Sequence, residues 1–136
     1  MEMIGRKREV TVTVTPQMLA SHVGSGEVDV FATPMMIALM EQAAAGCAKE
    51  FLEEGQTTVG TEMNTSHVSA TPCGMKVTAC AEITAWEGRS ITFSVKACDE
   101  AGVIGEGTHS RVVVPKERFE QKAQAKRNGS VSGRKE

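Results

Sequence analysis

Tyrosine is missing from the chain, tryptophan occurs once and phenylalanine four times. Stacking platforms for bases or sugars cannot be assembled from so few rings. An excess of charge of either sign is missing as well, since 15 Lys and Arg stand against 17 Asp and Glu for a net charge of -2. Nothing draws in a polyanion, and no nucleic-acid partner is expected. No apolar run approaches the ~18 residues of a membrane span, and MEMIGRKREV puts charges where a secretory leader needs an apolar core. The expectation is a cytoplasmic protein with no membrane partner. The cysteines at 47, 73, 80 and 98 form no C-x-x-C pair and have no closely spaced His, so they read as small buried hydrophobes in a reducing compartment. Phosphate-binding glycine motifs are missing, and GVIGEG lies inside a strand pattern, where glycine marks a bulge or a close backbone approach. No metal and no cofactor is expected.

What the chain does have is periodicity. Its 136 residues suit one domain, expected to occupy residues 1–126, with the Gly/Ser/charge-rich residues 127–136 as a disordered tail. EVTVTVTP alternates Val10, Val12 and Val14 with Thr11, Thr13 and Thr15, the pattern of a half-buried strand ended by Pro16. The irregular stretch QMLASHVGSGEVDVFA follows. TPMMIALMEQAAAGCAKEFLEEG then carries helix punctuation: Thr33 as N-cap, Pro34 at the first helical position and Gly55 as a stop. About 21 residues at ~1.5 Å each predict a helix of roughly 30 Å. Its first turns, PMMIALM, are apolar on every side, so this end is expected to be enclosed, whereas Lys49, Glu50, Glu53 and Glu54 mark a wetter end.

From Thr57 onward the period is two. TTVGTEMNTSHVSA, MKVTACAEITAWE, RSITFSVKAC and VIGEGTHSRVVV read as four strands joined at ATPCGM, WEGR and CDEAG. Glycine at each joint suits short antiparallel hairpins. KERFEQKAQAKRN adds a short polar helix whose basic residues form a solvated face. The predicted class is α+β, an antiparallel sheet curled round one buried helix.

Three residues stand out chemically. Glu41 has Ile37, Ala38, Ala44 and Ala45 as helical neighbours, none able to pair with it. It either marks the edge of the buried face or is a catalytic or orienting carboxylate partnered from another element. Thr33, Ile37 and Glu41 lie on one i, i+4, i+8 row. Thr33 is either only a cap, worth ~1 kcal/mol, or a hydroxyl beside helix N–H groups that stabilise developing negative charge. His67, in TSHVSATPCG, shares a strand face with Val59, Thr61, Met63, Thr65 and Ser69. It is either a satisfied strand histidine or a general base. His22 sits in the glycine-bearing loop and His109 in a strand with Gly105, Gly107 and Arg111, and no two histidines have metal-pair spacing.

Four pieces in order, FATPMMIALMEQAA, TTVGTEMNTSHVSATPCGMKV, WEGRSITFSV and IGEGTHSRVVV, resemble the hotdog-fold thioesterase family that includes fluoroacetyl-CoA thioesterase. The resemblance runs from about Val10 to about Lys126. It is most specific in the Thr-to-Glu helix start and the V-G-T…S-H…A-T-P-x-G segment. It implies a hotdog fold, a long central helix wrapped by a curved antiparallel sheet, and a homodimer paired edge to edge with active sites at the interface. Stacking of such dimers into a tetramer is left open. It further implies that Thr33, Glu41 and His67 act together in catalysis, that Gly60 lines the acyl pocket, and that Phe31 and Arg111 are substrate-binding.

The implied reaction is hydrolysis of a small acyl-CoA thioester to a carboxylic acid and free CoA. The alternative on the same fold is a non-catalytic module binding acyl-CoA or an acyl carrier. A hotdog hydratase fits less well, because those enzymes pair an Asp with a His at a helix start, and this helix carries Glu41 and no His. Fluoroacetyl-specific members have an aromatic-bearing lid between first strand and helix. Here SHVGSGEVDVFA is shorter and carries only Phe31, which implies a broader or different small acyl group.

Overall fold

Alternating valines draw Lys7–Thr13 into β1, and a short 3-10 turn (Pro16–Met18) and the one-turn helix α1 (Ala20–Val23) lead to the long helix α2 (Thr33–Lys49). Four strands follow, β2 (Gln56–Thr65), β3 (Lys76–Glu87), β4 (Ser90–Asp99) and β5 (Gly102–Pro115), and then α3 (Lys116–Ala125). The computed structural model describes residues 3–129. Of the tail expected to be disordered, residues 130–136 lie outside the described residues, while Arg127, Asn128 and Gly129 finish a short 3-10 turn after α3.

The strands make one antiparallel sheet in the order β1-β3-β4-β5-β2, and α2 packs against β1, β2, β3 and β4. Period two explains the inner face. Val77, Ala79, Ala81 and Ile83 of β3 and Ile91, Phe93, Val95 and Ala97 of β4 are at most 1% exposed. Alanines at three of these positions let the helix approach closely. From α2 the sheet receives Met36, Leu39, Met40, Ala43, Ala44, Cys47 and Ala48, a stripe spaced by threes and fours. Burying one large aliphatic side chain contributes about 1.5–3 kcal/mol, so this stripe orients the helix about its axis and decides which residues face away.

Several expectations are corrected. The joint at ATPCGM is no hairpin: β2 pairs with β5 at one edge, whereas β3 pairs with β1 and β4. Its glycine makes only a local turn, Gly74 at φ +95 with Met75 N–H reaching the Pro72 carbonyl. The other two joints are hairpins, turning at Gly88 and at Ala101–Gly102. The helix stops at Lys49, and Gly55 lies in the turn before β2 at φ +87, so α2 is nearer 25 Å long. Its start is enclosed on one side only: Pro34 and Ala38 are exposed and Ile37 half-buried. Of the cysteines, all free, only Cys47 is fully buried, and Cys73 in the Pro72–Met75 turn is exposed.

The strand glycines of β5 do mark close approach. A Cβ on Gly105 would strike the Ser66 carbonyl and one on Gly107 the Asn64 carbonyl.

Candidate active site

His67 does not stand on a strand. β2 ends at Thr65, and His67 lies in the segment after it, tied to β5 by Ser66 N–H to the Glu106 carbonyl (3.1 Å) and Val68 N–H to the Ile104 carbonyl (2.7 Å). Thr33 is likewise displaced from its expected role: Ala32 is the N-cap and no side chain caps the helix. The Thr33 hydroxyl instead lies 2.7 Å from His67 Nδ1. His67 Nε2 is buried and has no hydrogen-bond partner among the described residues. Burial pushes the ring below its ordinary value near 6.5, which keeps it neutral at neutral pH.

Thr33 and His67 share a cleft of about 340 Å³ whose other walls include Val28, Val30, Phe31, Val68 and Ser69. Phe31 is 1% exposed and bonds through its N–H to the Thr71 carbonyl, so it forms a floor and not a lid. Val28 and Val68 are the exposed apolar groups at the mouth.

Glu41 sits two helical turns further on and does find its partner on another element. Arg111 Nη1 of β5 lies 3.8 Å from Glu41 Oε2. β5 carries the inward period past Val113 to Arg111 (8% exposed) and His109 (1%), so two polar residues occupy positions that β3 and β4 give to aliphatic and aromatic groups. The guanidinium donates from Nε to Thr58 Oγ1 (2.8 Å), from Nη2 to the Thr58 carbonyl (3.0 Å) and from Nη1 to His109 Nε2 (3.2 Å). His109 Nδ1 lies 2.8 Å from the Glu62 carbonyl. Burial pushes His109 below the usual histidine value and also lowers Arg111, while Glu41 acts the other way on both. Gly60 completes this cluster by having no side chain: a Cβ there would lie 2.7 Å from Glu41 Oε2.

The six residues singled out in the sequence thus fall into two groups. Thr33, His67 and Phe31 meet at the helix start, and Glu41, Gly60 and Arg111 meet at its middle. Thr33 and Glu41 are eight residues apart, about 12 Å along the axis, and among the described residues no hydrogen bond or ion pair joins the groups. The sequence reading named His109 without giving it a role and passed over Thr58. Counting inward positions back from Val113 in twos would have placed His109 beside Arg111; nothing in the sequence distinguishes Thr58.

Among the described residues no three His, Cys, Asp or Glu side chains gather as metal ligands, and no helix is long and apolar enough to cross a membrane. A larger hollow of about 840 Å³ beside α3 is lined by Glu54, Glu117, Glu120, Lys116 and Arg118 among others. It lacks both the hydrogen-bonded Thr33–His67 pair and the buried His109 and Arg111 of the two clusters.

A family profile described as "Fluoroacetyl-CoA-specific thioesterase" matches residues 14–117. The fluoroacetyl-CoA thioesterase of Streptantibioticus cattleyicolor is 41% identical over 98 residues, 72% of this chain and 70% of that protein. A solved structure of the fluoroacetyl-CoA thioesterase FlK superposes with a TM-score of 0.86 at 34% identity, over 90% of this chain and 96% of the other. A Thermus thermophilus hypothetical protein of the thioesterase superfamily superposes with a TM-score of 0.85 at 30% identity, over 92% and 93%. The sheet curled round α2 is the hotdog fold. Profile, sequence and structure agree across the segment that builds both clusters, and the chain belongs to the fluoroacetyl-CoA-specific thioesterase family.

Proposed function

We propose that this chain hydrolyses the thioester of a small acyl-CoA to a carboxylic acid and free CoA. One observation carries the reading: a neutral imidazole on a cleft-lining residue is engaged through Nδ1 by Thr33 and keeps a buried, unpartnered Nε2. With Nδ1–H donating to Thr33 Oγ1, Nε2 keeps the lone pair that a general base needs. Nε2 takes a proton from water as its oxygen attacks the thioester carbon. The tetrahedral intermediate then expels the CoA sulfur, which receives that proton. At the opening of α2, Pro34 has no N–H and the Met35 and Met36 N–H groups reach the Ala32 carbonyl, which leaves the Thr33 N–H and the positive end of the helix to stabilise the oxyanion.

Glu41 either orients the water or attacks the thioester itself to form an anhydride that water opens. A single turnover in ¹⁸O water separates the two routes, because only the anhydride route leaves label in Glu41. Support for acyl-CoA as the substrate class comes from a threonine variant of FlK solved in complex with acetyl-CoA. The cleft walls, valines over a Phe31 floor, favour a broader range of small acyl groups than fluoroacetyl alone.

We further propose a homodimer in which Thr33 and His67 of one protomer meet Glu41 of the partner subunit. The ~12 Å between the two groups along one helix supports this, as do the exposed Pro34 and Ala38 on α2 and the position of β2 at the edge of the sheet. The same reading places the enzyme in the cytoplasm, where its four free cysteines remain reduced.

Release of free thiol across acyl-CoAs of graded length tests the activity. Hydrolysis strongest with short acyl chains is expected. Acyl-CoA that raises the melting temperature without thiol release would establish the binding module instead.

A further inference from the structure

We infer that His109 is a positioning residue that holds the Arg111 guanidinium short of contact with Glu41. The consequence for turnover rests on the thioesterase reading; the geometry does not. His109 Nδ1 lies 2.8 Å from the Glu62 carbonyl, and a carbonyl oxygen only accepts, so Nδ1 carries the proton. Nε2 lies 3.2 Å from Arg111 Nη1, and a guanidinium only donates, so Nε2 carries a lone pair. One form of the ring satisfies both bonds: the neutral Nδ1–H tautomer. Its plane is set by stacking on Phe93, with ring centroids 6.0 Å apart and 29° between planes. The Glu62 carbonyl that it holds adjoins the register shift between Gly60 and Glu62, where a bulge bends β2 around the site.

Thr58 supplies the other anchors, through its hydroxyl and its carbonyl. Three hydrogen bonds from two strands therefore fix the guanidinium, and Nη1 stops 3.8 Å from Glu41 Oε2. That distance keeps the charge attraction but exceeds the ~3.2 Å limit of a hydrogen bond. Gly60 leaves open the space next to both, since a Cβ there would stand 2.7 Å from Glu41 Oε2 and 3.4 Å from Nη1. Among the described residues, the charge or titration shown against Glu41 comes from β5, through Arg111 and His109. β2 offers it Gly60 and Thr58, and its own helix neighbours Ile37, Ala38, Ala44 and Ala45 are uncharged. Without the His109 lone pair, Nη1 is free to close on Oε2 as a short charge-assisted bond of ~2.8 Å. That bond occupies the oxygen required by water or by the thioester. His109 itself touches no reacting atom and acts only through Arg111.

Two conservative variants separate its two bonds. His109→Asn keeps a donor near the Nδ1 position for the Glu62 carbonyl and loses the acceptor; His109→Gln keeps an acceptor near the Nε2 position. His109→Asn is expected to lower kcat on the order of tenfold or more with KM nearly unchanged, His109→Gln to recover most of that loss, and His109→Asn to cost little further in a Glu41→Gln background. Nitrogen NMR of the wild-type imidazole should find Nδ1 protonated and Nε2 unprotonated at pH 7. A proton on Nε2 would overturn the inference whatever the variants do. So would variants that lose kcat equally and in step with melting temperature, or a full His109→Asn loss in the Glu41→Gln background. The NMR arm needs no turnover, so a wild type that hydrolyses no acyl-CoA sinks the thioesterase reading, and an Nε2-protonated ring sinks this one.

Discussion

The start and the middle of α2 carry two polar sites of opposite character. At the start, Thr33 and His67 share one hydrogen bond and, among the described residues, have no charged partner and leave one ring nitrogen without a hydrogen bond. In the middle, Arg111 makes three hydrogen bonds to Thr58 and His109 and is nine-tenths removed from solvent. A general base needs an unengaged lone pair and a pKa below the working pH, so the unpartnered nitrogen at the helix start suits proton transfer. A buried cation is costly to desolvate unless it is hydrogen-bonded, so the three anchors in the middle suit a fixed field around Glu41. The difference is between a group that must exchange protons and a group that must not move. In the proposed homodimer, their separation along α2 is bridged by drawing one group from each of two copies of the chain.

The largest expected effect breaks the first site. His67→Ala should lower kcat by roughly 10²–10⁴-fold with little change in melting temperature, since the ring makes its one side-chain bond to an exposed threonine. Thiol release at saturating acyl-CoA, alongside a thermal scan, checks both halves; a wild-type kcat would remove His67 from the mechanism. Mixing inactive His67→Ala with inactive Glu41→Ala sharpens the comparison. If each site draws on two protomers, a mixed dimer has one intact site and one doubly damaged site. Random exchange then restores about a quarter of the wild-type rate, because half the dimers are mixed and half their sites are whole. Sites contained within one chain would restore none.

Next comes the packing of the second site. Gly60→Ala places a Cβ 2.7 Å from Glu41 Oε2, and the carboxylate, at the end of a flexible side chain, must swing away. We expect kcat to fall on the order of 10–100-fold, the usual cost of displacing a group by about 1 Å, while the fold persists. A variant as active as wild type would show that Glu41 needs no fixed position.

Much of this architecture was readable before any coordinates. Alternating valines, the spacing of Met36, Met40, Ala43 and Cys47, and the turns at Gly88 and Gly102 mark β1, α2 and the β3-β4-β5 meander, because local period and turn chemistry determine them. The place of β2 was not readable. Its pairing with β5 depends on α2 carrying the chain across the sheet, a long-range matter that Gly74 does not report. Thr33 illustrates a second limit: a threonine ahead of Pro34 looks the same whether its hydroxyl caps a helix or holds an imidazole. Glu41 was legible as a carboxylate needing an outside partner. Arg111 entered through family resemblance, and His109 was named without a role although its inward position follows from counting along β5.

A smaller effect separates the two roles of Thr33. Loss of an N-cap side chain costs ~1 kcal/mol, but this hydroxyl caps nothing and meets His67 Nδ1 instead. Thr33→Ala should therefore leave chemical-denaturation stability within about 0.5 kcal/mol of wild type, as for an ordinary surface change, and lower kcat by about tenfold. Thr33→Ser should recover the rate. A stability loss near the full cap value with an unchanged rate would return Thr33 to a purely structural role.

The smallest effect is a slope. Burial holds both His67 and His109 below their ordinary value near 6.5, so the folded chain resists protons that the unfolded chain accepts. The stability tied to these rings is complete above about pH 6.5 and declines as pH falls through the window between that value and the lowered folded ones. Asp99 acts in a separate, lower window: the Thr71 hydroxyl bond holds its carboxyl below the usual 3.8, and its contribution is lost only as pH falls beneath that value. Urea unfolding at pH 8, 6.5 and 5.5 measures the histidine part. His67→Ala and His109→Asn should each flatten the slope, the second more strongly because His109 is 1% exposed whereas His67 lines an open cleft. A slope unchanged by His109→Asn would mean that this ring is as free to ionise in the folded chain as in the unfolded one. That outcome would erase the contrast between a proton-exchanging start and a locked middle of α2.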